Sequence, residues 1–146
     1  MSDERGWPFE NLEENRLRPW FFSATGYLFA LFPDPEEAGR ARDGLLANGV
    51  PPAEMRLYTS HEILEIESMR AAARSPVAKA IAAVTADPDA KQRYFGTARR
   101  GGAALWLFAP TEAGANRLLR LLADHDYSFV RYYGGDGVVD IRRDVD

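Results

Sequence analysis

Four stretches of this chain combine residue types that can do chemistry. The first is Arg99-Arg100-Gly101-Gly102. Arg offers a planar fork of donors, and glycine backbone can wrap around an anion, so this run suits a phosphate or a carboxylate. It matches neither the phosphate-loop nor the dinucleotide fingerprint, and the plain reading is a solvated loop leading into a strand. The second is aromatic: Tyr94, Phe95, Trp106, Tyr132 and Tyr133 could line a small-ligand pocket, although core packing is the commoner use of such side chains. The binding set expected on these grounds is Arg99, Arg100, Gly101 and Gly102 with Tyr94 and Tyr132, and the ligand expected is a small anion.

The other two are weaker. His61 and Glu65, with Glu62 beside them, lie four apart on a helix start and could share a metal. Two ligands are too few, and carboxylates are favoured near a helix N-terminus in any case. Asp124-His125-Asp126 is an acid-flanked histidine of the kind that serves as a general base. No hydroxyl is marked as its nucleophile and there is no Gly-x-Ser-x-Gly elbow, so a helix-to-strand turn accounts for it equally well. No metal, cofactor or catalytic residue is therefore expected.

The elements that must carry these residues repeat. Ala24 to Phe32 reads as a strand. Pro33-Asp34-Pro35-Glu36-Glu37 starts a helix, with Asp34 as cap, Pro35 in the first turn and Glu37 closing a capping box. Gly49 and Pro51-Pro52 stop it, and Met55 to Thr59 alternates as a half-buried strand. The second half follows the same plan: Ala103 to Ala109 as strand, Thr111 as helix cap, Ala115, Leu118, Leu119 and Leu122 as apolar face, and Tyr127 to Tyr133 as strand. A short strand at Val138 to Ile141 follows the turn at Gly134-Gly135-Asp136-Gly137. A shift of 76 places Leu31-Phe32 on Leu107-Phe108, Glu36 on Glu112 and Leu45-Leu46-Ala47 on Leu121-Leu122-Ala123. Such a long period means two halves of one domain rather than a solenoid.

Between the halves, residues 60 to about 100 read as a helical insertion. Ser60 caps a first helix carrying Ile63, Leu64 and Ile66, Ser75-Pro76 restarts one with Val77, Ala80, Ile81 and Val84 at helical spacing, and Asp87-Pro88 opens a third towards Tyr94-Phe95. Residues 1–23 form an arm that mixes charge with Trp7, Phe9, Trp20, Phe21 and Phe22. So many aromatics are unlike a disordered tail, so the arm is expected to dock on its own domain or on a second copy.

Two βαβ units in residues 24–146 predict an α+β, ferredoxin-like split βαβ sandwich with the helical insertion between its second and third strands. The first and third strands then lie at the centre and the second and fourth at the edges. The residues agree: Tyr27 to Phe32 and Ala103 to Ala109 are continuous apolar runs, as strands covered on both faces must be. The two helices of such a fold cover one face only. The insertion, the arm or a second protomer must cover the other, and on this ground a homodimer is expected.

Composition bounds the function. Hydrophobic residues make up 46% of the 146-residue chain, enough for a real core, and the net charge of −4 argues against a nucleic-acid partner. There is no cysteine, hence no disulfide framework or thiolate ligand, which suits a reducing, cytoplasmic setting. The charged start Met1-Ser2-Asp3-Glu4-Arg5 is no secretory signal, and no apolar run approaches the roughly 20 residues of a membrane helix.

Gly26-Tyr27-Leu28-Phe29-Ala30-Leu31-Phe32, the Pro-Glu-Glu-Ala helix start, Leu45-Leu46-Ala47-Asn48-Gly49-Val50 and Met55-Arg56-Leu57-Tyr58 together resemble the bacterial general-stress, heat-induced-stress type of domain. The resemblance spans about residues 24–60 and 103–141, and the helical middle departs from it. It implies a small stress-associated α+β domain and supplies no catalytic residues. The leading expectation is thus a non-enzymatic binding or regulatory domain, dimeric and stress-related. Two alternatives stand beside it: a small dimeric α+β-barrel enzyme of the antibiotic-biosynthesis-monooxygenase type, favoured by a large aromatic-lined cavity, and an anion or small-molecule sensor using Arg99 and Arg100. An RNA-stacking surface of Tyr27, Phe29, Trp106 and Phe108 fits poorly with the acidic charge.

Overall fold

A computed structural model describes residues 26–65, 88–134 and 137–143. The arm expected at 1–23 and the middle of the insertion, including the helix expected after Ser75-Pro76, lie outside these residues.

Five strands form one open antiparallel sheet: β1 (Tyr27–Phe32), β2 (Met55–Tyr58), β3 (Ala103–Phe108), β4 (Phe129–Gly134) and β5 (Gly137–Arg142), in the order β2-β3-β1-β4-β5. The helices are α1 (Pro35–Ala47), α2 (Pro88–Arg99) and α3 (Glu112–Leu122), with a helical segment at residues 60–65. The chain is thus α+β. As their apolar runs require, β1 and β3 are inner strands, and all six residues of β1 are buried. The expectation that the fourth strand lies at an edge is corrected. Strand β5 pairs back on β4, from Gly134↔Gly137 to Phe129↔Arg142. This is why Phe129, Val130, Arg131 and Tyr132 are all buried instead of alternating.

The two faces have separate cores. Leu28, Ala30 and Phe32 of β1 and Leu105 and Leu107 of β3 pack against Ala38, Ala41 and Leu45 of α1 and Ala115, Leu118 and Leu122 of α3. On the opposite face Tyr27, Phe29 and Leu31, with Ala104 and Trp106, pack against Ile63 and against Ala90, Tyr94, Phe95 and Ala98 of α2. Both described ends of the insertion therefore cover the second face in cis, and the sheet face needs no second copy to keep Trp106 from water.

Local signals set the helix ends. Asp34 accepts from Glu36 N at 2.9 Å and Thr111 Oγ1 from Gly114 N at 3.0 Å, so both helices of the repeat are capped as expected. Two capping details differ. Glu37 does not close a box on Asp34, because its carboxylate is held by Arg40, His125 and the Asp126 N–H. The cap of the 60–65 segment is Thr59 rather than Ser60: Thr59 Oγ1 accepts from Glu62 N at 3.2 Å, and Glu62 Oε1 accepts from Thr59 N at 2.9 Å, a reciprocal capping box.

Candidate functional site

The loop Arg99 to Gly102 is a helix end. Gly101 has φ +88°, the left-handed conformation that glycine adopts without a steric cost. Its N–H donates to Ala98 O at 2.9 Å and that of Gly102 to Thr97 O at 2.8 Å, the paired bonds that close a helix C-terminus in a Schellman motif. Gly102 is also a close approach: a Cβ there would run into the Phe32 carbonyl and the Thr97 methyl. The anion expectation relied on these two N–H groups as ligand donors, and they are spent on the helix. Arg99 and Arg100 are exposed, with the Arg100 guanidinium lying back over Gly96. Arg99 joins Lys91, Gln92, Phe95 and Pro88 around a recess of about 290 Å³ along α2.

The aromatic set divides between the faces. Tyr94, Phe95 and Trp106 belong to the second-face core, with Tyr133 packed against it, whereas Tyr132 belongs to the first. Tyr94 and Tyr132 therefore cannot line one pocket. The second-face rings pack on each other: Phe29 lies 5.2 Å from Tyr94 and 4.8 Å from Trp106 between centroids, and Trp106 stacks on Tyr133 at 6.4 Å. Trp106 Nε1 donates to the Tyr94 hydroxyl at 2.8 Å. Burial pushes the Tyr94 phenol well above its usual range, partly offset by that bond, so it stays neutral and acts as a structural acceptor. Phe29 and Trp106 are 1% and 0% exposed, which removes the surface on which bases would have to stack.

Arg131 shares a row across the sheet with Trp106, Phe29 and Asp140. It is only 5% exposed. Its Nε and Nη2 meet Asp140 Oδ1 and Oδ2 at 2.7 and 2.8 Å, a bidentate pair that satisfies both carboxylate oxygens. Its guanidinium lies 5.9 Å from the Phe129 and Tyr133 ring centroids. Neither residue stood out in the sequence. The one available signal was a lone Arg in an apolar strand, nine positions before an Asp across a tight turn.

His125 is partnered by Glu37, not by its neighbours Asp124 and Asp126. Nδ1 lies 3.0 Å from Glu37 Oε2, which also accepts from Asp126 N at 3.1 Å. The Arg40 contact, then the Asp126 N–H and His125, hold the Glu37 carboxyl below its ordinary value. A carboxylate only accepts, so Nδ1 carries the proton. Nε2 faces helix α1, where a Cβ on Gly44 would sit 3.4 Å from it. The dyad ties the start of α1 to the loop before β4, which is a clasp rather than a base aimed at a substrate. His61 and Glu65 sit 3.6 Å apart with side chains 83% and 66% exposed, and no group of three or more metal-ligating side chains occurs among the described residues.

Of the expected binding residues, Tyr132 lines a groove between α3 and the β4–β5 hairpin, on the first face, whose other walls sequence reasoning did not foresee. Two recesses of about 300 and 210 Å³ adjoin there, sharing Glu112, Tyr132 and Val139. The larger reaches Pro110, Gly134 and Gly137. The smaller is walled by Ala115, Asn116 and Leu119 of α3 and by Val130 and Ile141. The groove arises because β5 extends the sheet beyond the helix layer. Val139, whose side chain lies on the groove face, is 53% exposed. Gly134 leaves room for the floor, since a Cβ there would lie 2.9 Å from Tyr132 Cε2. The polar side chains are the Glu112 carboxylate, the Asn116 amide and the Tyr132 phenol; the smaller recess is mainly apolar, and the larger is lined about equally by polar and apolar surface. No helix among the described residues is long and apolar enough to cross a membrane. Compared with known proteins, the chain matches no family model, no curated protein and no solved structure.

Proposed function

We propose that this chain is a non-enzymatic binding domain that holds a small, largely apolar ligand in the groove between α3 and the β4–β5 hairpin. The observation that carries the reading is the pair of adjoining recesses sharing Glu112, Tyr132 and Val139, where Val139 stays more than half exposed beside the first-face core. Glu112 at the mouth favours a ligand with a cationic or hydrogen-bond-donating head and disfavours an anion. The monooxygenase-type reading would need an aromatic cavity, and the aromatic residues that would line it pack ring on ring instead, which supports binding over catalysis. The order β2-β3-β1-β4, with α1 and α3 on one face, supports reading the fold as ferredoxin-like with β5 appended. The stress association rests on the sequence resemblance alone.

Nile red, an uncharged apolar dye, tests this. Its emission rises saturably with the parent protein and is lost in Asn116→Trp, whose indole fills the slot from an exposed helix position. Equal dye binding by parent and variant contradicts the groove.

A second reading is favoured by the recess beside Lys91 and Arg99, whose two cations suit a phosphate or carboxylate. Phosphate then raises the melting temperature of the parent and not of Lys91→Ala/Arg99→Ala. No shift in the parent rules it out.

A further inference from the structure

The hydrogen-bond phase of β5 fixes what its outer edge offers. Polar backbone groups along a strand alternate in direction. Arg143 N donates to Ser128 O at 2.8 Å, and Ile141, Val139 and Gly137 face Val130, Tyr132 and Gly134 in the same register. These four residues turn their N–H and C=O groups towards β4. Val138, Asp140 and Arg142 turn theirs outward, where they meet no strand among the described residues. Their side chains lie on the second face, while Val139 and Ile141 lie on the groove face. The edge therefore combines open backbone donors and acceptors, more than half-exposed valines and two opposite charges two residues apart, with Arg142 Nη2 and Asp140 Oδ2 at 3.9 Å.

We infer that a second copy of this chain pairs with this edge, β5 against β5, antiparallel about a twofold axis at Ile141. In that register the outward-facing Asp140 lies opposite Arg142 of the second copy, and Arg142 opposite its Asp140. Four charges then alternate in sign across the seam, and Ile141 meets Ile141 on the groove face. The neighbouring registers are disfavoured by charge: an axis at Asp140 sets two carboxylates against each other, and an axis at Arg142 sets two guanidiniums together. Charges on an edge strand normally block pairing; here their order disfavours those two registers and matches the one centred on Ile141. A twofold axis normal to the sheet reverses the strand direction and keeps both groove faces on the same side, so the pair it generates is antiparallel. The inference deepens the groove reading and rests on it in one respect: Val139 and Ile141 form the open outer wall of the slot, and the second copy's strand closes that wall.

The chain has no cysteine, so single introduced thiols report the register. The tests are molar mass by light scattering at micromolar concentration and mild oxidation of Ile141→Cys and Val139→Cys. The expected result is a dimeric parent, a monomeric Arg142→Asp variant in which Asp140 meets a like charge, and a disulfide-linked dimer from Ile141→Cys but not from Val139→Cys. Arg142 is half exposed, its ion pairs are surface ones with Asp89 and Asp140, and its guanidinium lies 6.0 Å from the Phe129 ring centroid, so the parent's circular dichroism is expected to be kept by this variant. A monomeric parent overturns the inference, and so does cross-linking at 139 in place of 141. A monomeric parent that still binds Nile red discards the second copy and leaves the groove reading standing. An extended foreign peptide that protects the β5 amides of such a monomer would name the edge's other occupant.

Discussion

The indole N–H of Trp106 on inner strand β3 donates to the Tyr94 hydroxyl on α2 at 2.8 Å, with both rings buried. This bond ties α2 to the inner strand beneath it and adds a directional contact to the ring packing around Tyr94. Replacing Tyr94 by Phe keeps the ring and removes this acceptor. A buried donor that loses its partner costs about 1–3 kcal/mol, and Tyr94→Phe is expected to lose that much in urea unfolding. Adding Trp106→Phe to Tyr94→Phe should cost less than the sum of the two single changes, because the N–H left without its acceptor is then gone.

Arg131 and Asp140 make the second prediction. Asp140→Ala leaves a buried guanidinium without its bidentate acceptor. One-sided removal of a buried pair costs about 3–5 kcal/mol, and the lower end applies because the Asp140 side chain keeps 19% exposure. Arg131→Met/Asp140→Leu, which removes both charges, should recover most of that loss. Equilibrium unfolding of the three variants and the parent checks it.

Gly102 is the third. A Cβ there meets backbone as well as the Thr97 methyl, so the neighbours cannot simply rotate away. Gly102→Ala is expected to destabilise by about 1–3 kcal/mol as an overpacked site. Gly101→Ala costs less, about 1–2 kcal/mol, because open space surrounds it and only the left-handed backbone is strained. Thermal melts should rank the two in that order.

The pH dependence follows from two carboxylates. Glu37 is held below its ordinary value first by Arg40, then by the Asp126 N–H and His125. Asp89 is held low first by Arg93, then by Arg142. A carboxyl with a depressed folded-state value binds its proton less readily in the fold than in the unfolded chain. Its stabilisation is complete above the unfolded value, 4.5 for Glu37 and 3.8 for Asp89, and is lost as pH falls through the depressed folded value. Glu37→Gln should therefore melt below the parent at neutral pH, with the gap closing under acid. A gap that stays constant to low pH contradicts the ionised clasp.

The repeat made much of the fold legible. Asp34 and Thr111 marked both helix starts, Gly49 marked a stop, and the apolar runs of β1 and β3 placed them inside the sheet. Where sequence reasoning failed, the deciding partner was distant. Glu37 looked like half of a capping box, but His125 and Asp126 reach it from the far end of the chain. Tyr127 to Tyr133 looked like an edge because an unbonded edge and a strand backed by a hairpin share the same residues until the turn is closed. Gly101 and Gly102 looked like anion donors because the sequence does not say which carbonyls their N–H groups meet. The groove was hidden for a similar reason: Leu119 read as part of an apolar helix face and Tyr132 as a ligand contact beside Arg99 and Arg100, and their meeting with Val139 depends on β5 lying beside α3.

Native mass spectrometry of the untagged protein from its own cells, beside the Asn116→Trp variant expressed the same way, tests the central claim most directly. The account predicts a reproducible excess mass on the parent protein, above its denatured mass, that is missing from the variant. An excess mass carried equally by both, or absent from a parent that also leaves Nile red dark, would contradict a ligand-binding groove between α3 and the β4–β5 hairpin.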